Sequence, residues 1–191
     1  MGKIILGSSS PRRADILKKL KLDYEIIPSG YEEPHNQTDF SYAYVESLAY
    51  NKALDVAKKI DGEALVIGAD TIVVADNKIL GKPKDIQDAY DTLNLLSAKT
   101  HFVVTSIAII KSNTFEYKIE SATTFVTFKA LTDEQIKYYV DNYKPFDKAG
   151  SYGIQELPEG FVENIEGDLD NVIGLPSEVL LKLLDQFNEK D

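Results

Sequence analysis

The stretch Ala64-Leu65-Val66-Ile67-Gly68-Ala69-Asp70-Thr71-Ile72-Val73-Val74 is almost wholly apolar and rich in β-branched residues. Such a run reads as a central strand covered on both faces. Asp70 interrupts the run where an unpaired carboxylate would be very costly. It has to meet a metal, a cation or a mouth of the sheet, and a structural lysine partner would satisfy the same constraint. Gly68, two residues earlier, suits a kink or a close backbone approach.

The rest of the chain alternates strand and helix. Residues 3–6 read as a short buried strand, 7–10 as a tight turn, and 12–22 as an amphipathic helix with Ile16, Leu17, Leu20 and Leu22 on its apolar side. Segment 24–27 suggests a second strand, 28–39 a polar loop and 41–60 a long helix. The central strand turns at Asp76-Asn77 towards a strand at 78–80, and 85–96 has helical spacing. Strands 102–110 and 115–128 form a hairpin around Ser112-Asn113. Thr132-Asp133-Glu134-Gln135 is a capping box that opens a helix to Tyr143, and a last helix covers 177–187 after Gly174-Leu175-Pro176. This order predicts mixed α/β architecture around a central sheet. The 191 residues, free of linker tracts and repeats, suit a single domain over 1–191.

Of the 21 basic residues, arginine occurs only as the adjacent pair Arg12 and Arg13, inside Gly7-Ser8-Ser9-Ser10-Pro11-Arg12-Arg13. A guanidinium is planar, always charged and able to bind bidentately, which lysine cannot copy. Ser10 falls at the N-cap and Pro11 at the first helical position, both favoured there. Two cations in the first turn oppose the helix dipole. A bound phosphate removes that mismatch, because free N–H groups, the hydroxyls of Ser8 to Ser10 and two guanidiniums then converge on one anion. A solvated pair on an ordinary turn is the plainer alternative.

Lys82 in Leu80-Gly81-Lys82-Pro83 and Lys148 in Asp147-Lys148-Ala149-Gly150 are pinned by Gly or Pro, and Lys52 lies on the long helix. Together with the arginines they can neutralise a triphosphate. Glu32 and Glu33 are loop carboxylates, and Mg²⁺ needs only one or two such groups beside water and phosphate oxygens, so Asp70 plus one of them suffices. His35 and His101 form no recognisable hydrolase triad, and Tyr42, Tyr44 and Tyr50 read as core or dimer packing rather than base stacking. The net charge is −10, and residues 156–191 carry ten acidic side chains against Lys182 and Lys190. That balance repels nucleic acid polymers yet tolerates a small anion in a basic pocket. No apolar stretch suits a membrane span, no leader pattern is visible, and the lack of cysteine fits a cytoplasmic enzyme.

Taken in order, Ser8-Ser9-Ser10-Pro11-Arg12-Arg13, Gly68-Ala69-Asp70-Thr71, Leu80-Gly81-Lys82-Pro83, Asp147-Lys148-Ala149-Gly150-Ser151-Tyr152-Gly153-Ile154-Gln155 and Gly174-Leu175-Pro176 resemble the Maf family of nucleotide pyrophosphatases. The resemblance implies an inosine-triphosphatase-like mixed sheet flanked by helices, with a cleft between two lobes. It implies hydrolysis of nucleoside triphosphates to the monophosphate and pyrophosphate with a divalent metal cation, Mg²⁺ or Mn²⁺. By resemblance, Asp70 matches the catalytic carboxylate, Glu33 the upstream acidic position, and Lys52 and Lys82 the phosphate-facing lysines. The residues themselves add Ser8, Ser10, Arg12, Arg13 and Lys148 as groups to hold the triphosphate, and Glu33 beside Asp70 as a metal ligand. Arg12, Thr71 and Gln155 match positions tied to base selection in the dTTP/UTP branch.

The chain departs from the family pattern at Ala98 and Ser106, where glycine is usual, at Lys144, where glutamate is usual, and at Glu156, where glycine commonly follows the glutamine. Glu156 bears on substrate preference, so a 7-methyl-GTP pyrophosphatase is an alternative within the family. A nucleotide-binding regulator of cell division with little turnover is an alternative outside enzymology. A homodimer is compatible with either.

Overall fold

The computed structural model describes residues 2–34 and 37–188. His35 therefore lies outside the described residues. Strands β1 (Ile4–Leu6), β2 (Glu25–Ile26), β3 (Leu65–Ala75), β4 (Lys78–Leu80), β5 (Thr100–Lys111), β6 (Tyr117–Phe128) and β7 (Val162–Glu166) form one sheet. Its order is β2-β1-β3-β5-β6-β7, with β4 also on β3. Strand β1 is parallel to β2 and β3, and the remaining pairs are antiparallel.

Strand β3 is buried at every position except Thr71, as its apolar run requires. One face lies under helix α2 (Tyr42–Ala57), where Ala49, Ala53 and Val56 meet Ile5, Val66, Ala108 and Ile110, and Val45 meets Ile72, Val74 and Val104. The other face carries two separate cores. Helices α1 (Pro11–Lys19) and α6 (Ser177–Asn188) cover Ile67, Ala69, Ile107 and Ile109. Helices α3 (Ile86–Leu96) and α4 (Asp133–Tyr143) cover Val73, Ala75, Val103 and Val126. Thr71 sits between these two cores, which form the two lobes. None of the helices, among the described residues, is long and apolar enough to cross a membrane.

The capping box forms as its sequence demands, with the Thr132 hydroxyl on Gln135 N–H and the Gln135 side chain on Thr132 N–H. The turn at Asp76 and Asn77 forms with φ of 50° and 61°, a conformation that Asp and Asn tolerate. Helix α1 is shorter than the 12–22 reading. Lys21 takes φ 57°, its N–H bonds to Lys18 O, and Leu22 N–H bonds to Leu17 O, a Schellman stop with lysine where glycine would have signalled it. The hairpin turn holds 112–116 rather than 111–114, because Phe115 adopts φ 57° and leaves the strand. Strand β7 and the five-residue helix α5 (Leu169–Ile173) lack the length or the periodicity that sequence reading needs.

Of the α2 tyrosines, Tyr50 is half-buried and packs against the core, as expected. Tyr42 is exposed and bonds to Thr123, Tyr44 donates to Pro34 O, and Tyr50 packs edgewise on Tyr117. His101 is buried within β5, with Nε2 2.6 Å from the Tyr152 hydroxyl, and burial pulls its pKa down to about 4. It is thus a neutral core residue. Ala98 takes φ 56°, which accounts for the glycine usual there.

Candidate active site

Register creates the site. On one edge of β3, β1 pairs as far as Leu6 with Ile67, and Gly7 N–H adds a last bond to Ile67 O at 2.8 Å. Strand β4 takes up the same edge only from Val73 with Leu80. Residues 68–72 therefore have a strand partner only on the β5 side, and Asp70 lies at the midpoint of the opening. The turn leading into α1 forms one bank. The other is the loop after β4, where Gly81 O accepts from Gly150 N–H at 3.1 Å and ties in the segment around Lys148.

Asp70 points to the α2 face and is 6% exposed. Lys52 of α2 reaches it, with Nζ 2.5 Å from Asp70 Oδ1 and 2.6 Å from Glu33 Oε1. Burial pushes the Asp70 carboxyl above the usual carboxylate range, against the pull of Lys52. For Glu33, burial pushes upward too, but the Lys52 hydrogen bond and charge, followed by Lys82 and Arg13, prevail and hold it below its ordinary value. Lys82 is exposed and acts on Glu33 through that charge. One ammonium thus balances two converging carboxylates, an arrangement that also suits a divalent cation.

Gly68 makes this junction possible. A Cβ there would lie 2.3 Å from Ala49 O and 2.5 Å from Ala53 N, so helix and strand pack backbone to backbone on either side of Lys52.

Arg13 and Arg12 have different roles. Arg13 Nε donates to Gly174 O at 2.8 Å, Nη1 to Ser8 Oγ at 3.2 Å and Nη2 to Thr71 Oγ1 at 3.1 Å. Burial lowers its pKa from the arginine norm, but a guanidinium stays charged. Arg13 is a brace joining α1, β3 and the Gly174-Leu175-Pro176 turn. Arg12 makes one long contact, 3.5 Å to Asp147, across the opening. Ser10 stands at the N-cap of α1 without a side-chain cap bond, and Ser8 Oγ accepts from Ser10 N–H and Arg13. The Ser8 hydroxyl proton and the Ser10 hydroxyl remain usable by a ligand.

Arg13→Lys keeps the charge and deletes the fork. Loss of two or more partly buried hydrogen bonds predicts destabilisation of about 1–3 kcal/mol, read by urea unfolding. Arg12→Lys, by contrast, should leave stability unchanged and raise KM. Equal stability of both variants and the wild type would remove Arg13 from its bracing role.

Thr71 faces away from Asp70, towards Arg13. Thr105 Oγ1 donates to Asn171 O at 2.8 Å, so the 2.9 Å contact between Thr71 and Thr105 has Thr71 as donor. With Arg13 also donating to it, Thr71 keeps one lone pair for a ligand. Asn171, fully buried on α5, accepts from Thr105 N–H and donates to Val103 O and Thr124 Oγ1 at the waist between the lobes. Sequence reading missed Asn171, whose only signal is an amide just upstream of Gly174-Leu175-Pro176.

Lys148 is buried and paired with Asp147 at 2.8 Å and with Glu156 at 3.1 Å, its chain lying over Gly153. Glu156 thus compensates Lys148. Gln155 is exposed on the short turn Ile154–Glu156, on the Lys148 bank. A cavity of about 350 Å³ elsewhere, lined by Gly2 to Ile4 and Asp23 to Glu25, carries none of these groups.

An α/β sheet split beside a buried carboxylate, with cations on both banks, has the charge and shape that suit a phosphorylated ligand. The chain belongs to the Maf-like protein family, which it matches over residues 3–187. It is 47% identical over 191 residues to a dTTP/UTP pyrophosphatase of Ruminiclostridium cellulolyticum, covering 100% of this chain and 98% of that one. It is 48% identical over 176 residues to a protein of the same name from Alkaliphilus metalliredigens, covering 92% and 91%. In fold it resembles a HAM1 protein of Coxiella burnetii over the whole of both chains, with TM-score 0.51 at 19% identity. The inosine-triphosphatase-like architecture expected from the motifs is the one observed.

Proposed function

We propose that this chain hydrolyses dTTP and UTP to the monophosphate and pyrophosphate, by attack of water on the α-phosphorus. The observation that carries the reading is the buried Asp70 in the sheet opening, joined to Glu33 through Lys52, with Arg12 at the start of α1 on one bank and Lys82 in the loop after β4 on the other. The names of the 47–48% identical relatives supply the substrate.

A divalent cation fits the donor set. Among the described residues no cluster of three or more acidic or histidine side chains exists to hold one, so Asp70 and Glu33 would share it with water and substrate oxygens, as Mg²⁺ prefers. Bound Mg²⁺ or Mn²⁺ would polarise the phosphate and acidify water. The residues do the rest. Asp70 orients the attacking water and takes its proton. Arg12, Lys82 and Lys52, with the hydroxyls of Ser8 and Ser10, hold the phosphates and offset charge on departing pyrophosphate. Arg13 keeps Ser8 and Thr71 in place. Thr71 offers a lone pair to the N–H of a pyrimidine, and Gln155 offers an amide from the opposite bank. Lys148 contributes positive potential, tempered by Asp147 and Glu156.

The expected products are dTMP and pyrophosphate, with dTTP and UTP preferred over ATP, GTP and 7-methyl-GTP. Phosphate analysis across that panel, free of contaminating pyrophosphatase, decides it. Primary release of orthophosphate would move the attack to the γ-phosphorus. Preference for 7-methyl-GTP would put the chain in the other branch, and binding without turnover would make it a regulator. Residues 1–191 act in this proposal as one cytoplasmic domain on free nucleotides, and size-exclusion chromatography tests for a homodimer.

A further inference from the structure

Asp55 follows Lys52 by three residues on α2, so both side chains leave the same side of the helix. Lys52 holds the Glu33 carboxylate. Asp55 holds the start of the same loop: its Oδ2 accepts from Gly30 N–H at 2.7 Å and from Ser29 Oγ at 3.0 Å. Ser29 Oγ in turn accepts from Tyr31 N–H at 3.0 Å. Tyr44, on the same helix, closes the far end by donating to Pro34 O at 3.1 Å.

Residues 29–34 belong to no helix or strand, and the Glu33 side chain is 43% exposed, so neither a backbone ladder nor packing fixes it. Its position follows from what ties the loop to α2. Asp55 also pairs with Lys59 at 2.8 Å, but an exposed i,i+4 pair contributes little by itself. The bonds to Gly30 and Ser29 are different in kind, because they hold the chain three and four residues before a carboxylate that converges with Asp70.

We infer that Asp55 is a positioning residue that sets where Glu33 stands relative to Asp70, and so sets the affinity of the site for its divalent cation. This inference rests on the assignment of Asp70 and Glu33 as cation ligands under Proposed function. The side chain acts through the loop backbone and touches neither cation nor substrate.

The test is Mn²⁺ titration calorimetry on the full chain saturated with α,β-imido-dTTP, which is not hydrolysed at the α,β linkage. Asp55→Ala should weaken Mn²⁺ binding about tenfold, the scale expected when a ligand loses its supporting partner. Asp55→Asn keeps an oxygen that can accept from Gly30 and Ser29, and should stay within about threefold of wild type. With saturating Mn²⁺, kcat of Asp55→Ala should approach that of the wild type, so the defect lies in cation demand. Circular dichroism and thermal unfolding establish that both variants fold, and Ser29→Ala should reproduce part of the Asp55→Ala loss. Wild-type Mn²⁺ affinity in Asp55→Ala, or equal losses in the Ala and Asn variants, would overturn the inference. If Glu33→Gln and Asp70→Asn both bind Mn²⁺ as the wild type does, the cation assignment falls and this inference with it. Weakened binding in those two with none in Asp55→Ala removes the role of Asp55 alone.

Discussion

Asp70→Asn will lower kcat by roughly 10²-fold or more while leaving a folded protein, because it removes the group expected to orient and deprotonate water and to share the cation. The expectation follows from the surroundings of the side chain. Asparagine has nearly the same volume, so the core around Ile72 and Ala69 keeps its packing. Lys52 would lose the charge of its 2.5 Å partner but keep the Glu33 carboxylate at 2.6 Å, so its ammonium is not stranded. Desolvation of Asp70 also ends when the charge goes, which offsets part of the lost pairing. The measurement pairs pyrophosphate release at saturating dTTP and Mg²⁺ with urea unfolding. A near-normal kcat would reduce Asp70 to the structural partner of Lys52.

Asp70 was legible in the sequence because it breaks a rule. A carboxylate inside an eleven-residue apolar strand has few physical excuses, and the structure supplies a cation partner and an opening in the sheet. Gly68 was legible for a related reason, since a residue without a side chain in such a strand signals close approach. The Thr132 capping box and the Asp76-Asn77 turn were equally plain, because both are decided within four residues.

What stayed hidden depends on long-range register. Arg12 and Arg13 look interchangeable in sequence, yet one is braced by a carbonyl 161 residues away and by a hydroxyl 58 residues away, while the other keeps most of its donors. The sheet opening exists because β1 stops at Ile67 and β4 starts at Val73, and a single sequence carries no register for either. Asn171 is invisible because α5 is a single short turn whose value lies in joining β5 and β6 at the waist. Lys21 hid the end of α1 by taking a glycine conformation. Glu156 was conspicuous as a departure from the family pattern, but its partner Lys148 could not be read from spacing.

Gly68→Ala will be among the most destabilising single-atom additions in this chain, at about 3 kcal/mol, the upper end for forced overpacking. The new methyl would meet Ala49 O at 2.3 Å, Ala53 N at 2.5 Å and Ala53 Cβ at 2.8 Å. Two of these atoms are helix backbone, so no side-chain rotation relieves the clash and α2 has to move off the sheet. Lys52 lies between Ala49 and Ala53, and its 2.5 Å and 2.6 Å pairings with Asp70 and Glu33 move with the helix. Activity should therefore fall together with stability, as it should not for Asp70→Asn. Adding Ala53→Gly removes the one side-chain clash and leaves both backbone clashes, while glycine costs about 1 kcal/mol in a helix interior. The double variant should be no more stable than Gly68→Ala. Urea unfolding of the two variants beside the wild type provides the measurement. Wild-type stability in Gly68→Ala, or recovery in the double variant, would mean that α2 does not rest its backbone on β3 and that the position of Lys52 is set elsewhere.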